Sequence, residues 1–144
     1  MYKNVLVGAD SSKTALKAVR TAAELAGKLG AKLHIATAYK PESVKIPDLP
    51  EEFKYSVTAH PADTLLAELE RIGKHAGVEV EVHAATGEAA EAIVRVANRV
   101  GADLIVVGNK GMRGAKRVLG SVPNSVAHHA ECSVLIVDTT SGAA

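Results

Sequence analysis

Short apolar runs alternate along this chain with segments whose apolar residues recur at helical spacing. The runs expected to be strands are residues 4–9, 31–39, 78–83, 104–107 and 133–137. The helical segments between them run from about Ser12 to Gly30, then over 63–75, 88–100 and 122–130. A strand, a helix and a second strand in succession form a parallel pair, so this alternation predicts an α/β fold with a mainly parallel sheet.

The predicted strands differ in polarity, and this difference predicts their order. The first and fourth runs are almost wholly apolar, which is typical of central strands covered on both faces. In the third run, valines alternate with Glu79, Glu81 and His83, so one face is polar and the strand lies at an edge. We therefore predict a doubly wound, open, five-stranded parallel sheet of Rossmann-like type, in the order 3-2-1-4-5, with helices on both faces. The winding reverses between the first and fourth strands, where such sheets bind ligands.

Length and composition limit the classes of protein that this chain can be. Its 144 residues, 47% hydrophobic and 23% charged, fit a single domain over 1–144. A net charge of +1 and only 3% aromatic residues argue against a nucleic-acid partner. The single cysteine excludes an internal disulfide. No apolar run approaches the roughly 20 residues of a membrane span, and no signal-peptide pattern is present, so we expect a cytoplasmic protein without a membrane partner.

A glycine-rich loop follows the fourth predicted strand and leads into the fourth helix. The strand stops at Gly108, and the loop contains three more glycines and four basic residues, which are Gly111, Gly114, Gly120, Lys110, Arg113, Lys116 and Arg117. Ser121 is expected to be the N-cap of the helix, with Pro123 in its first turn. Glycines and free backbone N–H groups at a helix N-terminus favour phosphate binding. The alternative is an ordinary strand-to-helix connection with solvated basic residues.

Three segments, VGADSS, VVGNKG and LGSVPNSV, resemble the universal stress protein family, specifically its nucleotide-binding branch. The family motif is G-x2-G, about nine residues, then G-Ser/Thr. Gly108, Gly111, Gly120 and Ser121 match it, with an intervening segment of eight residues, 112–119. The resemblance covers essentially the whole chain. It implies that the protein binds an adenine nucleotide, with ATP, accompanied by Mg²⁺, as the expected ligand and with AMP or cyclic AMP as the alternatives.

The resemblance also implies roles for individual residues. Asp10 matches an acidic residue near the ribose and adenine, and Ala38 matches a position whose backbone recognises the adenine edge. Asp10 has the alternative of being a simple helix cap. The full set of nucleotide-binding residues that we expect is Ala9, Asp10, Ala38, Gly108, Asn109, Gly111, Arg113, Gly120, Ser121 and Val122.

No catalytic or metal-binding arrangement emerges from the sequence. His128 and His129 are adjacent on a helix, so they cannot face one ligand together. His34, His60, His75 and His83 lack ligand spacing, and we expect them to be solvated or to cap helices. No Ser/His/Asp set or carboxylate pair is found. We therefore expect a nucleotide-binding regulatory protein of the stress response, with a slow ATPase or autophosphorylating enzyme as the alternative.

The fifth predicted strand lacks the usual protection of a sheet edge. Residues Val134, Leu135, Ile136 and Val137 form an apolar run without a charge or proline. We therefore expect a homodimer in which this strand pairs with its copy across a two-fold axis, which is also how members of the resembled family commonly dimerise. The alternative is that helices cover both faces of the strand and make it apolar for that reason.

Overall fold

A computed structural model describes residues 1–9, 13–39, 61–109 and 120–139. The stretch 40–61, whose four prolines predict an excursion from the alternating pattern, lies outside the described residues except for Pro61. So do Asp10 and residues 110–119 of the glycine loop.

Five parallel strands form one sheet. They are β1 (Asn4–Gly8), β2 (Lys32–Tyr39), β3 (Val80–Thr86), β4 (Leu104–Gly108) and β5 (Ser133–Val137). Their order is β3-β2-β1-β4-β5, and all four neighbouring pairs are parallel. The predicted fold class and strand order are confirmed.

Four helices of the described ranges flank the sheet: α1 (Lys13–Leu29), α2 (Pro61–His75), α3 (Ala89–Val100) and α4 (Ser121–His129). Helices α1 and α2 cover one face, where Val5 and Val7 of β1 are buried. Helices α3 and α4 cover the other face, where Leu6 is buried. Successive β1 residues thus enter opposite cores, which explains why this strand is apolar without alternation. None of the described helices is long and apolar enough to span a lipid bilayer.

Strand β3 differs from its predicted bounds of 78–83. It begins at Val80 and continues to Thr86, paired with β2 as far as Tyr39 opposite Thr86. The added residues, Ala84 to Thr86, are small and have no polar alternation. Pairing with β2 therefore determines where β3 ends. The sequence pattern of β3 alone does not predict this end.

Replacing Leu6 by alanine should destabilise the fold by about 2–5 kcal/mol, because Leu6 is fully buried in the centre of the sheet. The matched control is Leu29→Ala, since Leu29 is 37% exposed at the end of α1. Urea unfolding followed by circular dichroism measures both. Equal losses of free energy of unfolding would contradict the placement of Leu6 in the core.

Candidate functional site

A cavity of about 350 Å³ opens at the carboxyl ends of β1 and β4. These strands are neighbours, with Val5 opposite Leu104 and Val7 opposite Val106. After β1 the chain passes to α1 on one face, and α4, which follows β4, lies on the other. The cavity thus lies where the winding of the sheet reverses, as predicted. We call it the crevice, and its lining comprises Gly8, Ala9, Thr14, Ala15, Ala36, Ala38, Ala89, Ile93, Val107, Gly108, Ser121, Val122 and Pro123.

The described lining of the crevice is uncharged. It is made of small and aliphatic residues, with hydroxyl groups at Thr14 and Ser121. Among these residues there is no carboxylate, imidazole or thiol that could act as an acid, a base or a nucleophile. The described lining therefore suits a mainly apolar group with a few polar edges.

The N-terminus of α4 opens into the crevice. The helix begins at Ser121, and Gly120 is its N-cap, in an extended conformation (φ −60°, ψ 162°) without a side-chain cap hydrogen bond. The prediction that Ser121 is the N-cap is therefore wrong. The carbonyl of Gly120 already accepts the first helical hydrogen bond, from Asn124 N–H at 3.0 Å, so Ser121 is the first residue inside the helix.

This helix start leaves donors available to an anion. The N–H groups of Ser121 and Val122 lie in the first turn, where an α-helix offers them no acceptor of its own. Pro123, in the same turn, has no N–H. Ser121 and Val122 line the crevice, and the positive end of the helix dipole adds to the attraction for a phosphate.

Gly8 allows the end of β1 to approach α3 closely. A Cβ atom at this position would overlap the side chain of Ile93, lying 2.9 Å from its Cγ1. The next residue, Ala9, donates its N–H to the carbonyl of Ala36 at 2.9 Å, which extends the pairing with β2. The paired ends of β1 and β2 thus form one side of the crevice.

Asn109 lies outside the crevice lining, with its buried side chain bonded to the segment after β5. Its Oδ1 accepts hydrogen bonds from Thr139 N–H at 2.9 Å and Thr139 Oγ1 at 3.0 Å, and its Nδ2 donates to Asp138 Oδ1 at 3.2 Å. Its own N–H donates to Val137 at 3.0 Å. These bonds fix the start of the glycine loop against the end of β5.

The expected site residues fall into three groups. Five of them line the crevice: Ala9, Ala38, Gly108, Ser121 and Val122. Gly120 immediately precedes α4, and Asn109 bonds to residues 138 and 139. Asp10, Gly111 and Arg113 lie outside the described residues.

The sequence analysis missed several lining residues, notably Ala36, Ala89 and Ile93. Ala36 could have been found, because it lies two residues before Ala38 and side chains two apart share one face of a strand. The two α3 residues could not, since nothing local shows that the start of α3 reaches the crevice.

Two of the histidines are not solvated as expected. His34 is only 3% exposed, and His83 stacks on it with ring centroids 5.4 Å apart. They lie on neighbouring strands, 49 residues apart in sequence. Contact across strands brings them together, so their spacing along the chain gave no indication of it.

Comparison with known proteins gives one consistent result. The model of the universal stress protein family matches residues 1–138. A universal stress protein of Mycobacterium tuberculosis strain H37Rv is 41% identical over 144 residues, covering 96% of this chain and 98% of that protein. The crystal structure of a universal stress protein in complex with cAMP superposes with a TM-score of 0.77 at 38% identity, covering 96% of this chain and 98% of the other. A universal stress protein of Lactobacillus plantarum superposes with a TM-score of 0.70 at 26% identity, covering 94% and 97%. The chain belongs to the universal stress protein family.

Proposed function

We propose that this protein binds an adenine nucleotide in the crevice, with cyclic AMP as its preferred ligand, and that it acts as a regulatory binding protein of the stress response. The observation that carries the proposal is the opening of the α4 N-terminus, which has no side-chain cap, into a cavity whose described lining is uncharged, at the reversal of the sheet. A nucleotide has the matching parts, since it joins a flat base to an anionic phosphate.

The walls of the crevice fit the base. Ala36 and Ala38 are small and leave room for a ring, and Ile93 adds aliphatic surface against which the ring can lie. Ala38 is near the end of β2, where the neighbouring backbone can bond to the edge of a purine. The phosphate would then lie against the N–H groups of Ser121 and Val122.

The charge of the described lining, taken without the loop 110–119, suits a single phosphate better than a triphosphate. A cyclic phosphodiester carries one negative charge, whereas a triphosphate carries several. The described lining contributes no cation, and a helix N-terminus is equivalent to about half a positive charge. The relative crystallised with cAMP, at 38% identity, supports the same choice.

ATP with Mg²⁺ is the second candidate, and the composition of the glycine loop favours it. Lys110, Arg113, Lys116 and Arg117 would supply the charge that the described lining lacks. Hydrolysis or autophosphorylation would in addition need a placed base and ligands for Mg²⁺. Since the described lining has no carboxylate, Asp10 is the acidic residue expected to be available for either task.

Calorimetric titration of nucleotide-free protein with cyclic AMP, AMP and ATP, each with and without Mg²⁺, tests the proposal. We expect stoichiometric binding, with cyclic AMP tightest and insensitive to Mg²⁺. Tighter binding of ATP that depends on Mg²⁺ would favour the second candidate. Absence of binding by all three would refute the proposed function.

The basic loop leads to a prediction about ionic strength. The affinity for ATP should fall as salt rises, and it should fall more than the affinity for adenosine, because exposed charges are screened within about 8 Å at physiological salt. Titrations at two salt concentrations measure this difference. Equal salt dependence for both ligands would exclude a role for Lys110, Arg113, Lys116 and Arg117 in attracting phosphate.

A homodimer through β5 is part of the proposed function. Strand β5 is the last strand of the described sheet, paired on one side with β4. Leu135 and Ile136 are 38% and 37% exposed, which is unusual for large apolar side chains at an open edge. A second copy of this strand would cover them.

A further inference from the structure

Two histidines and a glutamate lie together on neighbouring strands, apart from the crevice. His34 is on β2, and Glu81 and His83 are on β3, with His34 opposite Glu81 in the register. His34 Nδ1 is 3.2 Å from His83 Nε2, and His83 Nε2 is 3.6 Å from Glu81 Oε1. One ligand atom from each residue lies within 4.8 Å of the other two.

We propose that His34, Glu81 and His83 form a binding site for Zn²⁺, with water as the fourth ligand. Zinc bonds of about 2.0–2.1 Å in a tetrahedron place neighbouring ligand atoms roughly 3.3 Å apart. The two measured separations, 3.2 and 3.6 Å, are close to that value. Two imidazoles and a carboxylate are also ligands that zinc prefers.

His34 is already oriented as a ligand. Its Nε2 lies 3.2 Å from Asn4 Oδ1, and an amide oxygen can only accept, so the ring carries its proton on Nε2. The lone pair of Nδ1 then points towards His83 and Glu81. Burial lowers the pKa of His34, and the neighbouring His83 lowers it further. A fixed partner on the second ring nitrogen is a general feature of metal-binding histidines.

Glu81 presents one carboxylate oxygen to the site and gives an ion access to it from solvent. Lys32 Nζ bonds to Glu81 Oε2 at 2.7 Å, which leaves Oε1 towards His83. This hydrogen bond lowers the pKa of Glu81. Lys32 also pairs with Glu79 at 3.8 Å, which partly offsets its repulsion of a cation. The side chain of Glu81 is 48% exposed, so an ion can reach the site from solvent.

Arg99 of α3 disfavours metal binding, so replacing it provides a specific test of the proposal. Its Nη2 lies 3.3 Å from His83 Nδ1, and a guanidinium only donates, so without metal the proton of His83 is on Nε2. Zinc binding at Nε2 requires that proton to leave and one to be taken up at Nδ1, with no net change in the charge of the ring. Arg99 must then move away. The alternative is that these residues form only a hydrogen-bonded chain from Arg99 through His83 and His34 to Asn4. In that case, replacing Arg99 would not increase the affinity for metal.

Calorimetric titration of the EDTA-treated, dialysed full chain with ZnCl₂ tests the proposal, with Co²⁺ absorption as a report on tetrahedral geometry. We expect one site per chain, abolished by His34→Gln and by Glu81→Gln. Arg99→Gln should tighten binding about tenfold, because it removes a positive charge that lies next to His83 and repels the ion. His75→Gln is the matched control, because His75 is an exposed histidine at the end of α2, and this variant should bind like the wild type.

Circular dichroism of the metal-free variants distinguishes a lost ligand from lost folding. Glu81 is exposed and Glu81→Gln keeps its shape, so this variant should remain folded even if His34→Gln does not. Absence of zinc binding by the wild type would overturn the proposal. Zinc binding that survives in folded Glu81→Gln and is not strengthened in Arg99→Gln would overturn it as well.

Discussion

Replacing Ala38 by leucine should weaken adenine-nucleotide binding by about 100-fold without unfolding the protein. Ala38 is half-buried and lines the crevice near the carboxyl end of β2, opposite Ala85. A leucine there would occupy space that the base needs. Overfilling a packed site costs about 1–3 kcal/mol, and each 1.4 kcal/mol is about tenfold in affinity.

Ala84→Leu is the matched control for this variant. Ala84 is on the neighbouring strand β3, exposed, and not part of the crevice lining. Calorimetry gives the affinities for cyclic AMP and ATP, and thermal unfolding shows whether both variants remain folded. Wild-type affinity in folded Ala38→Leu would place the nucleotide elsewhere and contradict the proposed site.

The strand order was predictable because the polarity of each strand's own residues indicates whether the strand is central or at an edge. A central strand such as β1 must be apolar on both faces, while β3 can keep Glu81 exposed. The reversal of winding, and with it the position of the crevice, follows from that order. The fold and the general location of the candidate site were therefore accessible from sequence.

The remaining features depend on contacts between segments far apart in the chain. A side chain at Gly8 would overlap Ile93, which lies 85 positions away in the sequence. Local sequence patterns cannot predict this contact. His34 and His83 meet only because β2 pairs with β3 in one particular register. The N-cap of α4 was assigned to Ser121 from residue preference, whereas the backbone conformation places Gly120 there. Residue type alone could not distinguish two adjacent candidates.

Proline at Ile136 should separate the proposed dimer, whereas proline at Leu135 should damage the fold. The carbonyl of Val137 accepts a hydrogen bond from Asn109 N–H, so the backbone of Val137 turns towards β4. Backbone groups of successive residues point to opposite sides of a strand. Those of Leu135, two residues before Val137, therefore also face β4. The N–H of Ile136 therefore points to the open edge, where a partner strand would need it.

The two variants are controls for each other, because each removes one N–H from the same apolar strand. Leu135→Pro breaks a bond of the β4–β5 ladder, with an expected loss of about 1–3 kcal/mol in free energy of unfolding. Ile136→Pro should keep the stability of the isolated chain. Light scattering should give the wild type twice the chain mass of 14.9 kDa at tens of micromolar, and Ile136→Pro the mass of one chain. A monomeric wild type would refute the β5 dimer. A dimeric Ile136→Pro would place the interface on another surface.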